Sequence, residues 1–212
     1  MINRELIRIK IVQLTYAYYQ NGNRNIDVAE KELLFSLSKA YHLYHYLLAL
    51  VVAVSKEARK HYDVEVARAN RENTAMPSSK FVDNKFAIQL EANQQLCDFI
   101  STQKQTWDDD IEFVRKLYSQ IVQSRIYTDY MSSDDSSYEA DRELWRKLYK
   151  TFIMENEELD ALLEEKSLYW NDDKEIVDTF VLKTIKRFDP ANDDKQELLP
   201  EYKRRRRQGL RT

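Results

Sequence analysis

The chain has 212 residues, of which 43% are hydrophobic, and its formal net charge is −3. This composition supports a buried core and argues against wholesale disorder. The 2 glycines and 3 prolines are too few for the many tight turns of a β-sandwich or β-barrel. The abundance of good helix formers therefore predicts an all-α protein.

The sequence carries few signals of export or membrane insertion. Its single cysteine, Cys97, cannot form an intramolecular disulfide and is typical of a reducing compartment. The basic N-terminus lacks a small-residue cleavage site, so it does not resemble a signal peptide. The most apolar run, residues 46–54, is far shorter than the roughly 20 residues of a membrane span. We expect a cytoplasmic protein without membrane contact.

Charge is distributed unevenly along the chain. Residues 1–24 contain four basic residues and one acid, whereas residues 155–175 contain nine acids and two lysines. A polyanion would be attracted only to the N-terminal segment.

The first predicted helix runs from Asn3 to about Gln20 and ends at the helix-stop signal of residues 21–23. Arg4 and Arg8 are four residues apart and share one face, with Lys10 beside them. Two interpretations fit these charges: contacts to RNA phosphates and bases, or the solvated face of a surface helix, which charge alone favours. The other faces are apolar, so we expect the helix to pack structurally as well through Leu6, Ile9, Val12, Tyr16 and Tyr19.

A second, long helix is predicted over residues 27–72. The pattern Asp27-Val-Ala-Glu30 is typical of a capping box, and leucines, valines and tyrosines then recur at helical spacing. Its length suggests a kink or a protruding end. Residues 73–79, which include Pro77, form the clearest linker.

Five further helices are predicted over residues 81–188, which makes about seven in all. Their starts are marked by apolar periodicity or capping residues, and we place them near Phe81, Trp107, Ser136, Asn156 and Asp172. The last of these begins with a further capping-box pattern at residues 172–175. Because the connections are short, we expect antiparallel helical bundles.

No catalytic or metal-binding constellation is present in this pattern. His42 and His45 are three residues apart, but two ligands are too few for a closed zinc site, and packing explains them better. The paired aspartates lie at predicted loops or helix starts, where capping explains them. Cys97 has no cationic neighbour that would activate it, and two glycines cannot build a phosphate-binding loop. We therefore expect neither an enzyme nor a cofactor.

The first helix carries a motif that resembles a known family. Arg8, Val12, Gln13 and Tyr16, with Arg4 upstream, resemble the opening helix of the transcription antitermination factor NusB, while Ile11 and Thr15 depart from its usual Ala and Leu. Three further segments resemble longer NusB-like proteins that carry a helical insertion after this helix. These segments are 29–39, 80–84 and 170–178, and the resemblance extends to about residue 202.

This resemblance implies an all-helical RNA-binding antitermination factor. The implied partners are single-stranded leader RNA of ribosomal transcripts, the ribosomal protein NusE and the elongating RNA polymerase. By the motif match, Arg4 and Arg8 would contact RNA, with Lys10 as their neighbour.

The final residues, 203–212, depart from the NusB pattern. The family's later helical segments are missing here, and the sequence instead contains a run of arginines. One interpretation is a polybasic RNA-binding arm. The other, which we favour, is an out-of-frame or truncated end.

An alternative function is a helical protein-interaction module that binds no nucleic acid, or an inactive truncated product. It would gain support if helices missing from the chain left apolar surface uncovered.

Overall fold

Helices provide all the regular secondary structure that this computed structural model describes, which covers residues 4–20 and 26–199. No strand occurs within those ranges, and the all-α prediction is confirmed. The predicted helix stop at 21–23 and the basic tail 203–212 lie outside the described residues. The α-helices are α1 (Arg4–Gln20), α2 (Ile26–Glu72), α3 (Lys85–Ala92), α4 (Gln94–Thr102), α5 (Ile111–Val122), α6 (Arg125–Ser132), α7 (Tyr138–Leu148), α8 (Glu157–Lys166), α9 (Leu168–Asn171) and α10 (Lys174–Arg187).

The described ranges hold ten α-helices where about seven were predicted. The predicted helix from Phe81 divides into α3 and α4, because the buried Asn93 ends one and caps the other by accepting a hydrogen bond from the Leu96 N–H. Two short helices, α6 and α9, were not predicted. A π-helical segment, Tyr149–Ile153, continues α7, and a 3-10 turn, Pro190–Lys195, follows α10.

Helix α2 is the central element of the fold. It contacts α1, α3, α4, α5, α9 and α10, and its middle is apolar on every face, as expected of a helix surrounded by others. Nearly every residue from Leu43 to Val54 is buried. Its range agrees within one residue with the predicted long helix.

The C-terminal part of α2 extends beyond the bundle. Most residues from Lys60 to Glu72 are exposed, and the helix ends at Asn73, whose φ of 51° is left-handed. One 18-residue window of α2 is apolar enough to cross a bilayer, but 72% of that window is buried inside the protein. This burial is typical of a core helix.

The start of α10 joins the bundle to α1. The predicted capping box at residues 172–175 is not formed, because Asp173 occupies the cap position without a side-chain hydrogen bond to the helix. Its carboxylate pairs with Lys10 of α1 instead. The next residue, Lys174, pairs with Asp178, which lies one turn further along α10 and also accepts a 2.6 Å hydrogen bond from the Tyr149 hydroxyl. Buried charges therefore fix the α9–α10 junction.

Candidate nucleic-acid interface on the first helix

One face of α1 packs against the rest of the protein, chiefly against α2. Leu6 is buried and Ile7 packs against the hydrophobic core. Leu14 and Tyr18 continue this face and are half-buried. Their spacing keeps them on one side of a helix with 3.6 residues per turn.

Arg4 and Arg8 lie outside the packed face, and both are exposed. At four residues apart they are neighbours on the helix surface. Tyr19 falls on the same side of the helix by its spacing and is 78% exposed. The structure thus brings two guanidinium groups and an aromatic ring to one exposed side of α1.

Lys10 does not join this exposed side. Its ammonium lies 2.5 Å from the Asp173 carboxylate, and the exposed fractions of the two side chains are 4% and 1%. Burial raises the pKa of Asp173, and the ion pair with Lys10 opposes that rise. The structure therefore gives Lys10 a role in holding α1 in place rather than an exposed contact beside Arg4 and Arg8.

The prediction that five apolar residues of α1 pack against the protein is correct for Leu6 and wrong for the other four. Val12 and Tyr16 are each 68% exposed, and Ile9 and Tyr19 are also exposed. They face away from α2 because their helical positions lie opposite Leu6, Lys10 and Leu14. A second apolar strip, which we call the outer strip (Ile9, Val12, Tyr16 and Tyr19), is thus presented to solvent.

His42 and His45 lie in different environments. His45 is fully buried, its Nδ1 lies 2.9 Å from the Tyr41 carbonyl oxygen, and its ring packs 4.8 Å from that of Phe99. Burial lowers the pKa of His45 to about 4, so the ring is neutral at physiological pH. His42 is half-buried near Phe99. Within the described ranges, no group of three or more His, Cys, Asp or Glu residues could hold a metal ion.

Cys97 and the paired aspartates at residues 109 and 110 form contacts within the protein. Exposed Cys97 donates to the Glu91 carbonyl oxygen. Asp109 accepts a hydrogen bond from the Thr106 N–H, as a turn-capping residue would, whereas Asp110 pairs with Lys166 at 2.6 Å. The aspartates therefore serve both as caps and as partners for lysines.

Comparisons with known protein families, with curated proteins and with solved structures find no match to this chain.

Proposed function

We propose that this protein is an RNA-binding transcription antitermination factor that contacts RNA through α1. The observation that carries the proposal is the joint exposure of Arg4 and Arg8 on a helix that Lys10 anchors from its other face. The motif similarity to NusB supports the same function. Its partners would then be single-stranded leader RNA, the ribosomal protein NusE and the elongating RNA polymerase in the cytoplasm.

The chemistry of the exposed side suits a single strand. A guanidinium group offers forked N–H donors that match a phosphate. Exposed aromatic rings such as those of Tyr16 and Tyr19 provide faces on which unpaired bases stack. Anchoring of the helix reduces the freedom lost on binding, because its backbone is already ordered.

A double substitution tests this proposal. Replacing Arg4 and Arg8 by Gln removes two charges from exposed positions and keeps polar side chains of similar reach. We expect weaker binding to a fluorescein-labelled single-stranded leader RNA, by on the order of 20-fold at about 0.1 M salt. Fluorescence anisotropy measures the affinity.

A matched variant controls for net charge. Lys150, on the π-helical segment after α7, and Lys186, on α10, are both exposed. Their double substitution by Gln removes the same charge and should change affinity by less than about threefold. Equal affinities of the two double variants would contradict a specific role for Arg4 and Arg8.

The outer strip supports a second candidate function, a helical protein-interaction module. Its exposed apolar residues are numerous for one short helix, and such patches often mark protein interfaces. This function predicts that Val12→Asp abolishes binding of NusE or self-association, measured by analytical ultracentrifugation, while RNA binding is absent even at low salt. RNA binding by the wild-type chain would contradict it.

A further inference from the structure

A cleft runs along one side of α2. It has two adjoining lobes with volumes of about 390 and 350 Å³. Both lobes are lined by Tyr46, Phe99, Gln103 and Gln105, so they lie side by side. Its far wall is the end of α4 and the segment 103–108 that leads to α5.

The α2 wall of this cleft follows from a regular spacing. Lys39, Tyr46, Ala53 and Lys60 line it at intervals of seven residues, which keeps them on one face of the helix. The distance from Lys39 to Lys60 along the axis is about 30 Å. Ala53 and its neighbour Ala49 are small, which leaves room between α2 and segment 103–108.

The lining of the cleft is strongly basic, although the chain is acidic overall. It contains one carboxylate, Asp108, and five ammonium groups. A third cavity, which adjoins the cleft at Phe99 and Gln103, is lined by three acids and one lysine. We call the basic space the lysine cleft, after Lys39, Lys56, Lys60, Lys104 and Lys166.

Two of these lysines have only long ion pairs. Lys56 lies 3.8 Å from Glu91, and Lys60 lies 3.6 Å from Glu57. Both acids have other cationic partners, because Arg59 binds Glu91 at 3.3 Å and Arg115 lies 3.4 Å from Glu57. The lysine charges are therefore not neutralised locally, and their side chains are 56% and 65% exposed.

Two more lysines add to this field. Lys39 and Lys104 form no ion pair with any residue that the structure describes, whereas Lys166 is bound to Asp110 at 2.6 Å. An anion entering the cleft would meet Lys39 and Lys104, which have no ion-pair partner among the described residues, and Lys56 and Lys60, whose ion pairs are long. Such a charge arrangement attracts a phosphate-bearing ligand.

The floor of the cleft is apolar and rigid. The rings of Tyr46 and Trp107 stack with centroids 4.4 Å apart, and the Trp107 indole N–H donates to the Tyr46 carbonyl oxygen at 2.8 Å. Above this floor, Gln103, Gln105 and Thr106 supply amide and hydroxyl groups. Both rings are only 4% exposed, so they close the floor, and the amides above it are the groups that can bind the edge of a base.

We propose that the lysine cleft binds nucleotides of single-stranded RNA, with base edges at the amides of Gln103 and Gln105 and phosphates at the lysines. This inference rests on the proposed function and adds a second contact region to it. Trp170 of α9 lines the cleft, and Asp173, three residues later, holds the buried face of α1 through Lys10. The length of the cleft suits a run of about four or more nucleotides.

The test compares two double variants of the full chain. Lys56 and Lys60 are exposed and lie outside the α1 surface, so K56Q/K60Q should fold normally, as a circular-dichroism melt will check. Its affinity for the labelled leader RNA should fall on the order of tenfold at about 0.1 M salt. The K150Q/K186Q variant should bind as the wild type does. A 4-thiouridine-substituted RNA should crosslink to the peptide containing residues 103–108.

The outcomes separate the cleft from the proposed function. Loss of affinity in R4Q/R8Q with none in K56Q/K60Q would refute the cleft and leave the RNA function standing. Absence of RNA binding by the wild-type chain would refute both. Saturable binding of AMP in the cleft, lost in K56Q/K60Q, without RNA binding would show a free-nucleotide site and overturn the RNA assignment.

Discussion

The buried ion pair between Lys10 and Asp173 joins α1 to the start of α10, and Lys10→Met tests its role in holding α1 on the protein. Methionine keeps the length and apolar stem of lysine but removes the ammonium. Asp173 would then be buried without an opposite charge, since Lys10 is the only cation among the described residues that pairs with its carboxylate. We expect a large loss of stability.

Two independent arguments give the same magnitude for this loss of folding stability. Breaking a buried ion pair by removing one partner costs about 3–5 kcal/mol. Alternatively, Asp173 can take up a proton: at about pH 7, roughly three pH units above its ordinary pKa of 3.8, that costs about 4 kcal/mol. A loss of this size lowers Tm by roughly 8–16 °C in a chain of this length.

The assay is urea unfolding followed by circular dichroism, together with amide hydrogen exchange in α1. In K10M, burial holds the pKa of Asp173 above its unfolded value, so the folded state binds more protons and the deficit shrinks as pH falls towards 4. K10M/D173N should recover most of the stability, and K150M should match the wild type. A K10M variant within about 1 kcal/mol of the wild type, with unchanged exchange in α1, would refute this account of the anchoring.

Two further predictions concern the buried polar groups around α4. Asn93→Ala removes the cap of α4 and the 2.8 Å hydrogen bond that Asn93 Nδ2 donates to the Gln196 carbonyl oxygen. We expect the free energy of unfolding to fall by roughly 2–4 kcal/mol. Asn171→Ala, at an exposed position, is the control, and equal unfolding midpoints of the two variants would contradict the prediction. The pKa of His45 is about 4 in the folded state, against 6.5 in the unfolded state. The neutral ring therefore contributes its full stability above about pH 6.5, and this contribution falls by about 2 kcal/mol between roughly pH 7 and 5. His45→Leu should reduce that pH dependence in urea titrations, and an undiminished slope would show that other groups cause it.

Much of the fold could be predicted because its signals are local. The lack of turn residues indicated helices, and the apolar pattern of residues 27–72 indicated one long helix, which the structure places at Ile26–Glu72. The cap at Asn156 is formed as predicted, with its side chain accepting from the Leu159 N–H. Spacing and capping act within one or two turns, so the sequence displays them directly.

The errors concern contacts between distant residues. Apolar residues of α1 alternate between two faces, and nothing local indicates which face α2 covers, so the outer strip was expected to be packed. The partnership of Lys10 with Asp173 spans most of the chain. Asp173 was expected to cap a helix because acids are common at helix starts, but in the structure its carboxylate pairs with Lys10.

The lysine cleft could have been found only in part. Lys39 and Lys60 share a face of α2 by their spacing, which the sequence shows. However, the opposite wall comes from segment 103–108, and its position depends on how α4 and α5 pack against α2. A pattern of charges on one helix becomes a cleft only when another element faces it.

The most direct test of the central claim, that α1 contacts RNA through Arg4 and Arg8, is the salt dependence of leader-RNA binding. The logarithm of affinity is measured against the logarithm of salt concentration for the wild type and for R4Q/R8Q. We predict that the slope of the variant is smaller in magnitude by about 1.4, which corresponds to two lost phosphate contacts on a single strand. Identical slopes would contradict the claim.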